Sequence, residues 1–464
     1  MVNEMKIWIN KCIDEEKGIE FQDALTFNIG VPGCSGVVAS DIRAGWYKLL
    51  GCKSVTPICE DLFIIAMSVF AADKRIPRSK FPDAWTRILD LNIPVLELDK
   101  WDSEKLLLEK MLSFLSGDIW NLSFRVSHAE NRYKDYHKRE STRNELLDHI
   151  DSVSLFSGGM DSYCGAYDFL SHGQRVAFVG FKEYDRLKDV QKDLLENIQL
   201  ATDNSEALLF RFTAKAYAPL GGRTLLPENT SRSRSFLFLC AALCVAETIG
   251  EGIPVYIPEN GFIGLNLPMT PGRKGSCSTR TTHPYFLKMF NSLIENIGLR
   301  HRIINPYAYT TKREMVARYK DAPGFLSNIH KTISCSHPRN GRWYGITKPE
   351  NCGYCYPCLI RQSSLLDVEV PLDHYTYNSI SYDYILHASN SKRSDIVDLL
   401  SAVSQAVKST DQELVTRIRR TGHLSADEVQ SFLHVYKSTI YDLVELFSKD
   451  SELLRIMGMT HAIH

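Results

Sequence analysis

The sequence predicts an α/β fold whose centre is a doubly wound, mostly parallel sheet spanning residues 149–371. The first observation is that apolar, β-prone runs alternate with helical runs along this part of the chain. The second is that the strand at 153–156 leads straight into a glycine turn and a helix, Ser157–Gly158–Gly159–Met160–Asp161–Ser162. Ligands bind such sheets at the carboxyl ends of the strands, so we expect a binding site at this turn.

Further strands and their helices complete the predicted sheet. The strands are placed at 175–181, 207–212, 254–258 and 302–306. The helices that connect them are placed at 187–200, 233–249, 284–297 and 311–319. Strands that alternate with helices in this way are typical of βαβ units.

Two other regions flank this sheet. Residues 1–148 are predicted to form a small α+β accessory domain without a catalytic constellation, and partner binding is its expected role. Its strands and helices are placed at 25–29, 93–98, 120–126, 60–70 and 102–115. The charge-dense segment 131–144 is interpreted as a solvated helix or linker. Residues 372–464 are predicted to be helical, because their apolar residues recur at helical spacing.

Composition narrows the class of protein. A chain of 464 residues is long enough for more than one domain. Its net charge of -1 does not indicate a nucleic-acid partner, and no apolar run is long enough to cross a bilayer. The N-terminal residues lack a signal-peptide pattern, so we expect a cytoplasmic protein whose 12 cysteines are reduced or bind metal.

The glycine turn has the features of a phosphate-binding loop. Backbone N–H groups and the positive end of a helix dipole converge there, and Gly158 and Gly159 let an anion approach the backbone closely. Ser157 and Ser162 add hydroxyl donors. The carboxylate of Asp161 should repel phosphate, so we predict that Mg²⁺ lies between them. The alternative is an ordinary glycine turn, and no Gly-Lys-Ser/Thr sequence makes it a Walker A loop.

Polar residues also follow the later strands of the predicted sheet. Glu259 and Asn260 come directly after the strand at 254–258, at the expected binding edge, and we expect them to contact a substrate. Lys312 begins the helix after the last strand and is expected to lie near the phosphates as a catalytic residue.

Two more segments carry candidate residues. Arg232 and Arg234 stand among serines at the start of an apolar helix, a setting that suits phosphate, although an ordinary cap would explain Arg232 as well. The polar loop 272–283 could be a substrate loop. In it, Arg280 could pair with a carboxylate and His283 could hydrogen-bond a base or relay a proton. An ordinary surface loop is the alternative.

Four cysteines form the second motif. Cys352, Cys355 and Cys358 are spaced by two residues, and Cys335 precedes them. Four thiolates are the set that tetrahedral, structural Zn²⁺ prefers, and they close its coordination shell. An iron–sulfur cluster has the same ligand requirement and remains an alternative.

The motifs together resemble a known family. The hexapeptide 157–162 is similar to the SGGxDS loop of the PP-loop ATP pyrophosphatases, which cleave ATP between the α- and β-phosphates. The cysteine motif makes the resemblance more specific. Cys335 and the run 351–361, which contains Cys-Gly-x-Cys-x-x-Cys-Leu-x-Arg, resemble the corresponding motif of 7-cyano-7-deazaguanine synthase (QueC). The resemblance covers about residues 150–367. The resemblance implies a PP-loop (HUP-like) fold with bound ATP, Mg²⁺ and Zn²⁺. It also implies a role for Arg234, because related enzymes carry a similar arginine before such a helix.

QueC enzymes adenylate a 7-carboxy-7-deazaguanine and add ammonia, so the resemblance implies a 7-deazaguanine-type substrate. The segments 259–266 and 278–284 look instead like those of longer QueC-like proteins from bacterial antiphage systems, the Qat system and type IV CBASS. In that setting the attacking amine could belong to a partner protein encoded in the same operon. Three alternatives stay open: queuosine supply, a non-catalytic nucleotide-binding subunit, and a tRNA thiolase-like enzyme.

Overall fold

The computed structural model describes residues 3–30, 35–40, 55–129, 145–182, 184, 186–228, 232–268, 280–345, 348–370 and 374–459. The segment 131–144 and the loop 272–279, both interpreted above from sequence, lie outside these residues. Two sheets and a group of C-terminal helices make up the described chain.

The first sheet is built mainly from the N-terminal region. Its strands are β1 (Met5–Lys11), β2 (Leu25–Ile29), β3 (Val37–Ser40), β4 (Ile88–Val95), β5 (Ile119–Val126) and β9 (Ala214–Ala216). They are ordered β5-β4-β1-β2-β3-β9, and every pairing is parallel except that of β3 with β9. The N-terminal strands thus form a parallel sheet, and α-helices connect β3 to β4 and β4 to β5. This is closer to an α/β arrangement than to the α+β arrangement predicted for this region.

Two features of this sheet differ from the sequence-based placement. Strand β1 was not predicted, although it lies at the centre of the sheet. The strand predicted at 93–98 ends earlier, because helix α2 (Leu98–Ser116) begins where that strand was expected to finish. The helix α1 (Pro57–Arg75) agrees with the prediction, and a proline in its first turn suits a helix start.

The second sheet confirms the predicted doubly wound fold. Its strands are β6 (Ser152–Leu155), β7 (Val176–Phe181), β8 (Ala207–Phe212), β10 (Val255–Tyr256) and β11 (Ile303–Ile304). All pairings are parallel in the order β11-β10-β6-β7-β8, so the chain reverses its direction of winding beside β6. The helices of this region are α3 (Met160–Ser171), α4 (Leu187–Thr202), α5 (Arg234–Ile249), α6 (Gly261–Leu265), α7 (Pro284–Asn296), α8 (Lys312–Ala317), α9 (Phe325–Ile329) and α10 (Tyr356–Ser364).

A hydrophobic core joins the two sheets. Helix α1 packs against α5, and both are apolar around most of their circumference because a sheet lies behind each of them. Their buried side chains belong to a single cluster with residues from both sides of position 148. The two sheets are therefore held together by apolar packing and not only by the covalent chain.

The C-terminal region is helical, as predicted. It contains α11 (Tyr382–His387), α12 (Asn390–Lys408), α13 (Asp411–Arg419), α14 (Ala426–Phe447) and α15 (Ser451–Ile456). The long helix α14 packs against α12 and α13 and also against α6, α8 and α10 of the second sheet's region. Among the described residues, no helix has both the length and the apolar character that crossing a membrane requires.

Candidate functional site

The loop 157–162 leaves the central strand β6 at its carboxyl end, beside the reversal of strand order. Gly158 has φ +84°, a conformation that glycine adopts at no steric cost. A Cβ on Gly159 would lie 3.3 Å from the Ser157 hydroxyl oxygen, so the loop is too tight for a larger residue without a shift. Helix α3 begins at Met160, which directs the N-terminal amides of its first turn toward the loop.

The serines of the loop are ordered by hydrogen bonds within it. The Gly159 amide donates to Ser157 Oγ at 3.2 Å, and the Ser162 hydroxyl donates to the Gly159 carbonyl at 2.9 Å. The two hydroxyl oxygens, Ser157 Oγ and Ser162 Oγ, lie 3.2 Å apart. Hydroxyls and amides thus converge on one small volume, which is the arrangement that an anion-binding loop needs.

A buried glutamine braces the loop from α4. Gln191 Nε2 donates to the carbonyl oxygens of Phe156 and Phe181, each at 3.2 Å, and lies 3.3 Å from that of Ser157. These carbonyls follow β6 and end β7, so one side chain links the ends of two neighbouring strands. Sequence reasoning missed Gln191, because nothing in the pattern of a surface helix marks one of its residues as a brace.

The cysteine segment contacts the loop directly. The Ile333 amide donates to the Gly158 carbonyl at 2.9 Å, and the Met160 amide donates to Ser334 Oγ at 3.0 Å. Ser334 is the residue before Cys335 and was also missed, although its place beside a predicted metal ligand was a signal. The two strongest sequence motifs therefore meet at one edge of the sheet.

The four predicted cysteines lie together. The sulfur atoms of Cys335, Cys352, Cys355 and Cys358 are all within 4.8 Å of one another. Two of the sulfur–sulfur distances are 3.8 and 3.9 Å, between Cys335 and Cys355 and between Cys352 and Cys358. A zinc–sulfur bond of about 2.3 Å gives a tetrahedron with an edge of about 3.8 Å, so the thiols present fit a zinc ion.

Backbone amides and a buried arginine support this cysteine cluster. The Cys352 amide donates to Cys335 Sγ at 3.3 Å, and the Cys355 amide donates to Cys352 Sγ at 3.4 Å. Such bonds orient thiolates and stabilise their charge. On α10, the fully buried Arg361 donates to the Thr332 hydroxyl and to the Ile329 carbonyl. These contacts tie the helix that carries Cys358 to the segment that touches the loop.

Asp161 is the centre of a buried polar cluster. Its Oδ1 lies 2.9 Å from Lys312 Nζ, and its Oδ2 accepts a hydrogen bond from Asn260 Nδ2 at 2.9 Å. A further hydrogen bond joins its carboxyl to that of Glu259. The sequence predicted all four residues as site residues, and the structure places them side by side because β6, β10 and β11 end at the same edge.

The cluster's ionisation follows from burial and from this pairing. Burial acts to raise the pKa of Asp161, but Lys312, Glu259 and Asn260 outweigh it and hold that pKa below its ordinary value. Burial and the adjacent Asp161 charge raise the pKa of Glu259 well above its ordinary value. Of the two carboxyls, Asp161 is therefore the one that ionises first, and Glu259 is the one that keeps its proton to higher pH.

Local structure fixes both partners of Asp161. Asn260 caps α6, since its Oδ1 accepts from the Ile263 amide at 3.1 Å, and its Nδ2 remains directed at Asp161. Lys312 is the first residue of α8, whose capping box is formed by Thr311 and Glu314. Each side chain thus projects from the rigid start of a helix.

Arg234 is the first residue of α5, and the predicted phosphate position at this helix start is occupied. The Ser233 amide and hydroxyl both donate to Asp73 Oδ2 at 2.8 Å, so a protein carboxylate complements this end of the helix dipole. Arg234 stacks on Phe238, which packs against the last residue of β7, Phe181. A catalytic role for Arg234 stays a prediction.

Arg232 has a structural place. It is buried, its Nη1 donates to the Ser116 carbonyl at 2.8 Å, and its guanidinium lies over the Trp85 ring at 4.5 Å. It therefore belongs to the contact between the N-terminal region and the start of α5, and it is neither a helix cap nor an exposed surface charge.

Arg280 and His283, which the sequence predicts as substrate-binding residues, both have partners within the protein. Arg280 Nη1 donates to the Phe114 carbonyl at 3.3 Å, and its guanidinium lies over the Phe114 ring. His283 is fully buried, its Nδ1 accepts from the Tyr285 amide, and its Nε2 lies 3.0 Å from the Thr421 hydroxyl. Both ring nitrogens are engaged within the protein, which favours a structural role over contact with a substrate.

The fold and the site together define a class: a parallel α/β protein with a glycine loop at the strand-order reversal, braced by a four-cysteine segment. Comparison with known proteins agrees with this class. The chain is similar to 7-cyano-7-deazaguanine synthases of Leptospira interrogans, serovars copenhageni and Lai, with 24% identity over 268 residues for each. The match covers 53% of this chain and 98% of each relative.

This similarity confirms the predicted relationship to the 7-cyano-7-deazaguanine synthases at the level of distant homology, over about half of the chain. No protein-family model matches the sequence, and no solved structure matches it.

Proposed function

We propose that the protein activates a carboxylate by adenylation with ATP and transfers the acyl group to an amine. A carboxylate oxygen attacks the α-phosphorus and pyrophosphate leaves. The amine nitrogen then attacks the acyl carbon, AMP leaves, and the amine loses a proton. The observation that carries this proposal is the hydrogen-bonded contact between the loop 157–162 and the cysteine segment, since both motifs belong to the resemblance to QueC.

The loop residues would hold the pyrophosphate portion of ATP. Ser157, Gly158, Gly159 and Ser162 offer the hydroxyls and amides of a tight anion-binding turn. The Gly159 amide of this turn bonds to the Ser157 hydroxyl, and a phosphate oxygen is a suitable replacement for that acceptor. The protein's contribution would be positioning and electrostatic stabilisation.

The cluster around Asp161 would serve the phosphates and a divalent cation. Asp161 is a buried carboxyl group whose pKa is held below its ordinary value, and a carboxylate oxygen is a ligand that suits Mg²⁺. When bound, Mg²⁺ would neutralise phosphate charge. Lys312 would then exchange its contact with Asp161 for a phosphate oxygen, and Arg234 would add a second positive charge at this edge.

The proposed substrate is a 7-carboxy-7-deazaguanine-type carboxylate. The printed name of the relatives, 7-cyano-7-deazaguanine synthase, supports this choice. Glu259 and Asn260 would contact it, because they lie beside Asp161 at the end of β10. The reaction would use ATP, and the four reduced thiols would hold a structural zinc ion, which suits the reducing cytoplasm where we expect the protein to act.

We further propose that the amine belongs to a partner protein and that the reaction serves an antiphage defence system. The resemblance of the segments 259–266 and 278–284 to QueC-like defence proteins supports this. So does the length of chain outside the match with the Leptospira synthases, which covers 53% of the chain. Ammonia as the nucleophile, with a nitrile product for queuosine supply, is the competing outcome.

The test is incubation of the purified protein with ATP, Mg²⁺ and 7-carboxy-7-deazaguanine, with AMP, pyrophosphate and products measured by mass spectrometry. We expect AMP and pyrophosphate, and no turnover for Asp161→Asn. The matched control is Asp193→Asn, which changes an exposed carboxylate on α4 and should behave as wild type. Formation of ADP and phosphate alone would rule out adenylation, and unchanged host protection by Asp161→Asn would favour a non-catalytic nucleotide-binding subunit.

A further inference from the structure

We propose that helix α14 of the C-terminal region holds the Asp161 cluster in its working geometry, and that Arg313 is the positioning residue that couples the two. The expected effect of Arg313 on turnover rests on the proposed function, whereas its effect on the geometry of the cluster does not. It assigns a role to the C-terminal helical region.

Helix α14 contacts three of the helices that supply the site. Helix α6 begins immediately after Asn260, α8 begins with Lys312, and α10 carries Cys358. All three helices pack against α14. One long helix therefore supports the helices next to Asn260 and Lys312, which contact Asp161, and the helix that carries Cys358.

The contact with α6 is too close for any residue other than glycine beside Asn260. A Cβ on Gly261 would lie 2.3 Å from the Ala308 carbonyl oxygen and 3.2 Å from a methyl carbon of Val435 on α14. In addition, Phe262 stacks on Tyr436 of α14, with ring centroids 5.6 Å apart. The backbone that carries Asn260 is thus held between the 308 segment and α14.

The contact with α8 is electrostatic and centres on Arg313. Its Nη1 lies 2.8 Å from Asp442 Oδ1 and 2.7 Å from Glu445 Oε2, both on α14. Its Nε donates to Asp367 Oδ2 at 2.6 Å, just beyond the end of α10. Three carboxylates around one guanidinium would repel each other without it, so the arrangement depends on Arg313.

The constraint reaches Lys312 through the helix start. Lys312 and Arg313 are consecutive residues in the first turn of α8. The Thr311 amide donates to Glu314 Oε2 at 2.7 Å, and the Glu314 amide donates to Thr311 Oγ1 at 3.1 Å. Because this capping box keeps the turn from fraying, a movement at Arg313 shifts Lys312 with it.

The experiment compares Arg313→Gln with Lys437→Gln. Lys437 also lies on α14, but it pairs with Asp411 at 2.8 Å on α13, away from the site, and serves as the matched control. We expect kcat of Arg313→Gln to fall about 10- to 100-fold, since a misplacement of about 1 Å can have that effect. Arg313→Lys should recover part of the loss, and Lys437→Gln should leave kcat unchanged.

A double-mutant cycle separates positioning from general destabilisation. If Arg313 acts through Lys312, Arg313→Gln should change kcat little in a Lys312→Met background, whereas independent effects would multiply. If Arg313→Gln folds poorly, Glu445→Gln removes one of its partners and should act in the same direction with a smaller effect.

Hydrogen exchange without ATP gives a readout that does not depend on turnover. We expect faster exchange in segments 259–265 and 311–317 for Arg313→Gln and not for Lys437→Gln. Faster exchange in a protein whose wild type does not turn over would support the positioning role and reject the proposed function. Unchanged exchange together with wild-type kcat would overturn the inference about Arg313.

Discussion

Replacing His283 with asparagine tests whether this residue is structural or catalytic. His283 caps α7 and lies between Phe114, with ring centroids 5.2 Å apart, and Thr421. Because Nδ1 accepts a hydrogen bond from the Tyr285 amide, the ring proton is on Nε2, which donates a hydrogen bond to Thr421 Oγ1. Asparagine can still cap the helix but cannot titrate. The substitution therefore removes the ionisable group while preserving the local backbone.

The size of the effect follows from the pKa. Burial, reinforced by the charge of Arg280, lowers the pKa of His283 from 6.5 to about 3 in the folded protein. The folded state stays neutral while the unfolded state takes up a proton below pH 6.5, so stability is lost as the pH falls toward 3. Linkage gives a loss of about 2 kcal/mol at pH 5 relative to pH 7.5 from this residue alone.

The assay is chemical denaturation of wild type and His283→Asn at pH 7.5 and pH 5. We expect the variant to be less stable at both pH values, because it loses the Thr421 bond and the ring contact. The decrease between the two pH values should, however, be about 2 kcal/mol smaller than in wild type. If the free energy of unfolding decreased by the same amount in both proteins between pH 7.5 and pH 5, the structural assignment of His283 would be refuted. If, in addition, the pH–rate profile of the variant were altered, the proton-relay hypothesis would be restored.

Three other predictions concern the contact of Ser334 with the loop 157–162, the four-cysteine cluster and the buried Asp61 of the N-terminal region. Ser334→Ala should weaken ATP binding about 5-fold by calorimetry, because the Met160 amide loses its ordered acceptor and the loop loses a contact to the cysteine segment. Cys352→Ser should lower the zinc content measured by mass spectrometry and speed hydrogen exchange in the loop 157–162. Retained zinc together with unchanged exchange would contradict the idea that the cysteine segment stabilises this loop. Burial raises the pKa of Asp61 to about 6, despite hydrogen bonds from the Leu96 and Glu97 amides. The protonated carboxyl of Asp61 therefore contributes up to about 3 kcal/mol to the free energy of unfolding at low pH, and this contribution should disappear as the pH rises from 4 to 6. Asp61→Asn should lack this decrease in urea denaturation, and an equal decrease in the variant would refute the assignment.

The site residues that the sequence predicted correctly as neighbours have a common physical basis. Asp161, Asn260 and Lys312 each follow a strand of one parallel sheet, and the carboxyl ends of parallel strands meet at one edge. Cys352, Cys355 and Cys358 cluster because the two-residue gaps between them limit where their sulfur atoms can go, and Cys335 joins them from further upstream. These arguments need only local patterns and the rule for strand ends.

The residues that sequence reasoning missed or misplaced depend on packing between distant parts of the chain. Ser334 and Gln191 brace the loop from other segments, and their partners are backbone groups that carry no sequence signal. The start of α5 suggested a phosphate site, yet Asp73 of the N-terminal region caps it. His283 had the composition of a flexible substrate loop around it, but Phe114 and Thr421 bury it.

The sequence by itself determined that a glycine loop ends a parallel strand and that four thiols can bind one ion, because both depend on short-range spacing and backbone geometry. Only the tertiary structure decided that the cysteine segment holds that loop through Ile333 and Ser334, and that α14 packs against the helices that begin at Gly261 and Lys312. The physical reason is that hydrogen bonds and close contacts between segments far apart in sequence exist only after the sheets and helices have packed.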